Sequence, residues 1–297
     1  MNIKQLAYYF LWVFKVFILK RKIPINGGII INDRCNLKCK HCVVANLVNQ
    51  DRSLQDIASD LDQLYSLGIR SLFIVGGEPF LWRDKGYNID SIIKLAKNKG
   101  FFKVSVCTNG ILPLETKADL VWVSVDGLKE THNKIRGDTY DQIINNIEES
   151  RHEGIFINFT VNSINCNEVE EMVKWTRRNQ KVKGILINFH TPYPGVEYLS
   201  ISGSKKERIV DEILNLKKNG YPILNSKAGL LAMKENNWQW PVWLCRLIDQ
   251  GKIYPCCCRE SILSKSTCNN CGIAVAVESA TVSRGEISSI LQSFRYL

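Results

Sequence analysis

Residues 29–42 read IIINDRCNLKCKHC: a short β-rich run at 29–32, then Cys35, Cys39 and Cys42 in a C-x3-C-x2-C spacing. Three thiolates on a short loop can bind three corners of an iron–sulfur cubane and leave the fourth iron open to an exogenous ligand; soft sulfur suits iron in that state. Zinc fits less well. A structural zinc takes four ligands, and His41, wedged between two cysteines, would strain the loop. A disulfide framework fits worse still. The eleven cysteines are odd in number, with three at 35–42, six at 245–271, and only Cys107 and Cys166 apart. Tight clusters in a 297-residue chain, long enough for a large core, argue against secretion and for metal in a reducing cytosol.

Outward from the cysteines the pattern alternates. Ser53 caps a predicted helix whose apolar face is Leu54, Ile57, Leu61, Leu64 and Leu67, stopped by Gly68. Further strands are expected at Ser71–Val75, Lys103–Thr108, 120–125, Ile155–Val161 and 184–189. Helices are expected at 91–97, 140–150, Val169–Arg178 and 207–218. Asn26, Gly27 and Gly28 read as a linker before the first strand. Six strands, most followed by a helix and several continuously apolar, mean an α/β fold with a parallel sheet covered by helices. It is either open and doubly wound or a partial barrel. In both, ligands gather at the carboxyl ends of the strands, where Gly, Cys, Asn and Asp fall here. Past residue 220 the pattern stops. Trp238, Trp240, Trp243 and cysteines take over, which suggests a small metal-stapled appendage.

Composition excludes disorder and fibrous repeats, since 45% of residues are apolar and 23% charged. The net charge of +10 favours an anionic partner, although the charge is spread along the chain as on a solvated surface. Residues 6–19, LAYYFLWVFKVFIL, precede Lys20, Arg21 and Lys22. Fourteen helical residues rise about 21 Å, short of a ~30 Å hydrocarbon core. A signal peptide is disfavoured because the basic cluster follows the run. Two readings stand: a helix packed on the protein's own core, or an interfacial helix with aromatics among lipid headgroups and cations on phosphates. The second is preferred.

The cysteine loop resembles that of the radical S-adenosylmethionine (radical SAM) superfamily, with His41 in the family's aromatic position. Gly76-Gly77-Glu78-Pro79, directly after the second strand, is similar to the family's GGEP motif, which contacts the methionyl amine; Gly–Gly permits close backbone approach, and Glu78 offers a carboxylate to an ammonium. Thr108-Asn109-Gly110 ends the third strand, and Ser124-Val125-Asp126-Gly127 ends the fourth. Both resemble what the family places beside the ribose and carboxylate of S-adenosylmethionine. His132 and Arg136, in THNKIRG, are similar to its HDxxR stretch, and Asn162 ends the fifth strand near the expected adenine. Each strand-end motif alone reads as a turn; their recurrence at successive strand ends carries the resemblance, which spans about residues 28–190. It implies a partial (β/α)6 TIM-like barrel. It also implies a [4Fe–4S] cluster on Cys35, Cys39 and Cys42, and S-adenosylmethionine held by Gly76, Gly77, Glu78, Pro79, Thr108, Asn109, Ser124, Asp126, Arg136 and Asn162. The implied chemistry is reductive cleavage to a 5′-deoxyadenosyl radical that abstracts a hydrogen or adds to an unsaturated centre.

The C-terminal cysteines are Cys245, Cys256, Cys257, Cys258, Cys268 and Cys271, with Gly251-x4-Cys256 and Cys268-x2-Cys271. They are similar to the start of the superfamily's SPASM and twitch extensions, which hold auxiliary clusters. No cysteine follows Cys271, so the full SPASM pattern is absent and one auxiliary [4Fe–4S] cluster is expected. Its preferred ligands are Cys245, Cys256, Cys268 and Cys271, with Cys257 or Cys258 as replacements for Cys256. A zinc knuckle on the same thiolates and free thiols are the alternatives.

The expected organisation is an N-terminal amphipathic helix at 1–25, a radical SAM core at 26–222, and a cysteine-rich extension at 223–297. His190 and Tyr193, in FHTPYPG after the sixth strand, are candidate substrate contacts, with a Pro-rich linker as the other reading. The expected enzyme acts on a small-molecule or lipid substrate, an isoprenoid being favoured by the N-terminal helix and the charge. The layout also loosely resembles radical SAM enzymes that adenosylate hopenes. A SPASM-type peptide maturase is the alternative, and a non-catalytic iron–sulfur or zinc protein is the alternative of another class. The expected partners are a one-electron reductant such as flavodoxin or ferredoxin and a membrane surface, with no specific nucleic acid. The expected location is cytoplasmic, peripheral on the inner face of the membrane.

Overall fold

The computed structural model describes residues 3–238, 242–255 and 265–294. Trp240, Cys256, Cys257 and Cys258 therefore lie outside the described residues. The strands are β1 (Asn26–Ile30), β2 (Ser71–Val75), β3 (Lys103–Thr108), β4 (Leu120–Ser124), β5 (Ile155–Val161), β6 (Val182–Phe189), β7 (Cys245–Asp249) and β8 (Lys252–Pro255). They form one sheet in the order β6-β5-β4-β3-β2-β1-β7-β8. β1 to β6 are parallel, β7 adds parallel to the other edge of β1, and β8 folds back antiparallel. The described sheet keeps two ends, β6 and β8, so the barrel is partial, and likeness to a closed TIM barrel stops there. The first strand of the cysteine-rich extension shares this sheet.

Register shows why the sheet has one packed face and one hollow face. Ile74, Val106, Val121 and Ile155 lie abreast on β2 to β5 and are fully buried beneath the helices. On the opposite face, Gly28, Phe73, Ser105 and Leu120 lie abreast; one step further, Ser124 pairs with Asn158. Side chains alternate across a pleated strand, so this face lines the inside of the curve, apolar at Phe73 and Leu120 toward the strand starts and polar at Ser124 and Asn158 toward the strand ends. The predicted linker glycines are strand residues. A Cβ on Gly27 would stand 2.9 Å from Ile69, and one on Gly28 2.7 Å from Leu247. β1 begins at Asn26 rather than at residue 29 because Asn26, Gly27 and Gly28 pair with Ser71, Leu72 and Phe73 of β2 and with Cys245, Arg246 and Leu247 of β7, and the close neighbours are what call for glycine there.

Helices α2 (Leu54–Ser66), α3 (Ile89–Lys99), α5 (Tyr140–Glu149), α6 (Val169–Arg178) and α7 (Gly203–Lys218) occupy the expected positions. Ser53 Oγ accepts the Asp56 amide at 3.1 Å, capping α2, whose Ile57, Leu61 and Leu64 are fully buried. α3 starts before residue 91 because Asn88 and Ser91 form a capping box. α4 (Lys129–Arg136) was not expected. KETHNKIR has no apolar period, and the helix buries only His132 and Ile135. In the extension, α8 (Lys227–Glu235), α9 (Lys265–Asn269), α10 (Ala274–Ser283) and α11 (Ile287–Phe294) follow. α10 packs on β6 and α8 with Ala274, Ala276 and Val277 buried.

The N-terminal run forms α1 (Ile3–Val13) and a π-helical turn, Phe14–Ile18. Its two readings describe opposite faces. Tyr9, Trp12 and Val16 pack with Ile25, Leu244 and Ala276. Trp12 Nε1 donates to Ile23 O at 3.0 Å, and the Tyr8 hydroxyl donates to Gly68 O. Arg70 stacks 3.6 Å from the Tyr65 ring centroid and 4.8 Å from that of Tyr8. On the other face Ile3, Leu6, Phe10, Leu11 and Ile18 are exposed. Among the described residues, no helix is long and apolar enough to cross a membrane.

Candidate active site

The loop from Ile31 to Arg52 carries Cys35, Cys39 and Cys42 over the carboxyl ends of the strands. Asp33 folds it: Oδ2 accepts the amides of Val48 and Asn49 at 2.5 and 3.0 Å, and Oδ1 that of Gln50 at 2.7 Å. Burial pushes the Asp33 carboxyl up, but these amides outweigh it and hold it below the usual carboxylate range. Asn46 Oδ1 accepts the Cys35 amide at 2.8 Å, and the Lys40 amide donates to Ile135 O at 2.9 Å, tying the loop to α4.

The three cysteines line one cavity of about 420 Å³, walled also by His41, Gly76, Gly77 and Tyr193. A smaller apolar cavity of about 170 Å³ lies toward the strand starts, between Trp12, Phe73, Trp122 and Val282. The thiols of Cys35, Cys39 and Cys42 are free. Burial pushes the Cys39 thiol up to about 11 although Arg136 pulls it down, and burial also raises Cys35. Polar groups already face the sulfurs: Asn109 Nδ2 reaches Cys35 Sγ at 3.7 Å, and Arg136 Nη1 reaches Cys39 Sγ at 3.8 Å. The buried Nδ1 of His41 has no hydrogen-bond partner. Three free thiols on one cavity with donors aimed at two of the sulfurs fit an iron–sulfur cluster with an open corner.

The expected contacts for S-adenosylmethionine divide into two groups. Gly76, Gly77, Thr108, Asn109, Ser124 and Arg136 wall the cavity, whereas Glu78, Pro79, Asp126 and Asn162 stand behind the wall, buried. Glu78 has neither oxygen free. Oε1 accepts Thr108 Oγ1 at 2.8 Å and the Phe80 amide at 3.1 Å; Oε2 accepts the Asn109 amide at 2.7 Å. Burial raises this carboxyl, and the three donors pull it back. The space beside the two glycines is taken by the cysteine loop itself. A Cβ on Gly76 would lie 2.1 Å from Asn32 Oδ1, and one on Gly77 2.4 Å from the carbonyl oxygens of Asp33 and Arg34.

Asp126 and Arg136 are a buried pair, Nε to Oδ2 at 2.6 Å, and Asp126 Oδ1 accepts the Thr160 amide at 2.8 Å. Burial alone would raise the Asp126 carboxyl, but Arg136 and His41 hold it below its ordinary range. His132 Nδ1 accepts the Asp126 amide at 3.2 Å, so its Nε2 carries the proton toward Thr139 Oγ1, also at 3.2 Å. Asn162 closes the turn after β5: its amide donates to Asn165 Oδ1 at 2.7 Å, and Asn165 Nδ2 donates to Asp126 O at 3.1 Å. Sequence reasoning missed Cys107 and Asn158, which line the cavity from β3 and β5. Strand alternation was the available signal, since Cys107 lies two residues from Ser105 on the hollow face. Of the two substrate candidates, Tyr193 reaches the cavity, while His190 turns away to Val196 O at 2.9 Å.

The C-terminal thiols Cys245, Cys268 and Cys271 are buried. The Cys268–Cys271 turn is pinned to the end of β6: Phe189 N donates to Gly272 O at 2.9 Å, and Gly272 N donates to Thr191 Oγ1 at 3.0 Å. Among the described residues, no three His, Cys, Asp or Glu side chains stand together at metal-binding distance, and the expected ligand Cys256 lies outside those residues.

Residues 29–175 match the family model of the radical SAM superfamily. A GTP 3′,8-cyclase of Thermodesulfovibrio yellowstonii is 30% identical over 260 residues, 76% of this chain and 79% of that protein. The antilisterial bacteriocin subtilosin biosynthesis protein AlbA of Bacillus subtilis is 26% identical over 52% of this chain and 37% of its own length. The structure of Streptococcus suis SuiB bound to the precursor peptide SuiA superposes with a TM-score of 0.64 at 18% identity, covering 82% of this chain. The chain spans 62% of SuiB. The expectation of a small-molecule or lipid substrate is corrected by this last comparison, because SuiB holds a peptide. With the cysteine loop, the strand-end motifs and the partial barrel in one molecule, the chain belongs to the radical SAM superfamily and is an enzyme of that superfamily.

Proposed function

We propose that the enzyme modifies a peptide, with Cys35, Cys39 and Cys42 holding a [4Fe–4S] cluster and S-adenosylmethionine lying against Gly76, Gly77, Thr108, Asn109 and Ser124. When bound, the cluster and S-adenosylmethionine supply a 5′-deoxyadenosyl radical, and the protein's part is to orient it and exclude water. The carrying observation is the pinning of the Cys268–Cys271 turn to the end of β6, so that the cysteine-rich tail closes on the strand ends where the three thiols open. AlbA, by its name a bacteriocin biosynthesis protein, and SuiB, with its precursor peptide, support the substrate class.

In this reading the residues divide the work. Glu78 and Pro79 stand behind the cavity wall. Glu78 clamps Thr108 and the Asn109 amide, so that the Asn109 side chain faces Cys35. Asn162 and Asp126 hold the ends of β4 and β5 in place. Tyr193 stands at the cavity wall on the loop after β6, where a peptide would enter. The Cys268–Cys271 turn at the end of β6 is the part of the expected auxiliary-cluster set that lies beside the cavity, while Cys245 stands at the start of β7.

The test is anaerobic reconstitution with S-adenosylmethionine and dithionite, using synthetic peptides encoded by short reading frames flanking the gene. A peptide mass change that accompanies 5′-deoxyadenosine and disappears in Cys39→Ala supports the reading. Turnover of a non-peptide, with every flanking peptide unchanged, sinks it.

The exposed face of α1 favours a peripheral location at a membrane surface. Phe10, Leu11 and Ile18 are bare beside exposed Lys15, Lys20, Arg21 and Lys22, an arrangement that places apolar side chains among acyl chains and cations on lipid phosphates. This concerns location and not substrate.

A further inference from the structure

We propose that Arg136 is a positioning residue that raises the reduction potential of the cluster through Cys39, with Asp126 setting the strength of the effect. The proposal rests on the reading that Cys35, Cys39 and Cys42 bind the cluster. Arg136 lies at the end of α4 with its side chain 10% exposed, Nη1 3.8 Å from Cys39 Sγ and Nε 2.6 Å from Asp126 Oδ2. The Lys40–Ile135 backbone bond locks that end of α4 to the cysteine loop, so the guanidinium and the sulfur keep their distance.

Three thiolates on a 2+ cubane leave one net negative charge, and reduction by one electron leaves two. A fixed positive charge beside a ligand sulfur stabilises the second state more than the first. A guanidinium does not lose its proton, so the charge is permanent. Asp126 is fully buried and cancels part of that field. Three further groups face the pair: His41, whose Nδ1 lies 3.8 Å from Asp126 Oδ2, His132, whose Nδ1 accepts the Asp126 amide, and the buried Glu78 carboxyl, which is close enough to feel the Arg136 charge; all three are the same in the parent and in the variants below. At the intermediate dielectric of a partly enclosed site, one unit charge at this range changes an electron-transfer equilibrium by about tenfold or more.

The experiment is an EPR-monitored redox titration of the reconstituted full chain, with iron per chain measured alongside. Arg136→Gln is expected to lower the ratio of reduced to oxidised cluster at a fixed solution potential by about tenfold. Asp126→Asn is expected to raise that ratio, and Arg136→Lys to stay near the parent. A merely structural role for the pair would lower iron content in both variants without shifts of opposite sign. Full iron in Arg136→Gln with an unchanged titration overturns the proposal. If that variant holds no iron, Asp126→Asn decides: an upward shift supports the proposal, and no shift or a downward one overturns it. A parent chain that binds no iron overturns the cluster reading itself, a result distinct from an unshifted potential.

Discussion

The carboxylate of Glu78 accepts the hydroxyl of Thr108 at 2.8 Å, joining the motif after β2 to the end of β3 inside the protein. Glu78→Ala strands that hydroxyl and the amides of Phe80 and Asn109 without acceptors. Each buried unsatisfied group costs about 1–3 kcal/mol, so a loss of roughly 3 kcal/mol or more is expected in urea unfolding of the apoprotein. Glu78→Gln keeps one acceptor oxygen and should lose less. Equal stability of Glu78→Ala and the parent would remove the clamp from the account.

His132 makes stability depend on pH. Burial, then Arg136, lowers its pKa from 6.5 to about 4. Between those values the unfolded chain holds a proton that the folded chain lacks, so stability is full above about pH 6.5 and falls as pH drops toward 4. Over that window the loss from this group is roughly 3 kcal/mol. Urea midpoints measured across it should fall with pH in the parent. They should fall less in His132→Gln, whose side chain does not titrate; parallel slopes would count against the assignment.

Gly77→Ala drives a methyl group into the carbonyl oxygens of Asp33 and Arg34, which are backbone and do not swing aside. Overpacking of this kind costs typically ~1–3 kcal/mol. The displaced segment leads directly into Cys35, so iron retained after reconstitution should fall together with the melting temperature. Gly203→Ala, where a Cβ meets nothing within 4 Å, is the control.

The two faces of α1 should separate in one pair of variants. Trp12 is 7% exposed and donates to Ile23 O, so Trp12→Ala is expected to cost about 3–5 kcal/mol. Phe10 is 74% exposed, and Phe10→Ser should leave stability within ~0.5 kcal/mol. Flotation with anionic liposomes is then the readout for Phe10→Ser. Unchanged flotation would leave the exposed stripe without a role at a lipid surface.

Much of the core was legible because its signals are local. Ser53, the 3.6-residue apolar period of α2 and the stop at Gly68 follow from backbone capping and side-chain spacing alone. α4 was not legible. KETHNKIR shows no apolar period, and the helix exists because His132 and Ile135 find partners across β4 and the cysteine loop. The linker reading of Gly27 and Gly28 failed for the same reason: Ile69 and Leu247 fill the space around them, and only folding brings those residues there.

The order of residues by itself determined three thiolates on one short loop after a strand, and chemistry-bearing motifs at the ends of successive strands, because ligand spacing and alternation are properties of neighbours along a chain. Only the tertiary structure decided which of those motifs faces the cavity. Gly76, Thr108, Asn109 and Arg136 reach it, while Glu78 and Asp126 are used up behind it by donors from distant strands and helices. A buried carboxylate takes whatever donors folding sets beside it, and those donors lie 30 and 10 residues away along the chain.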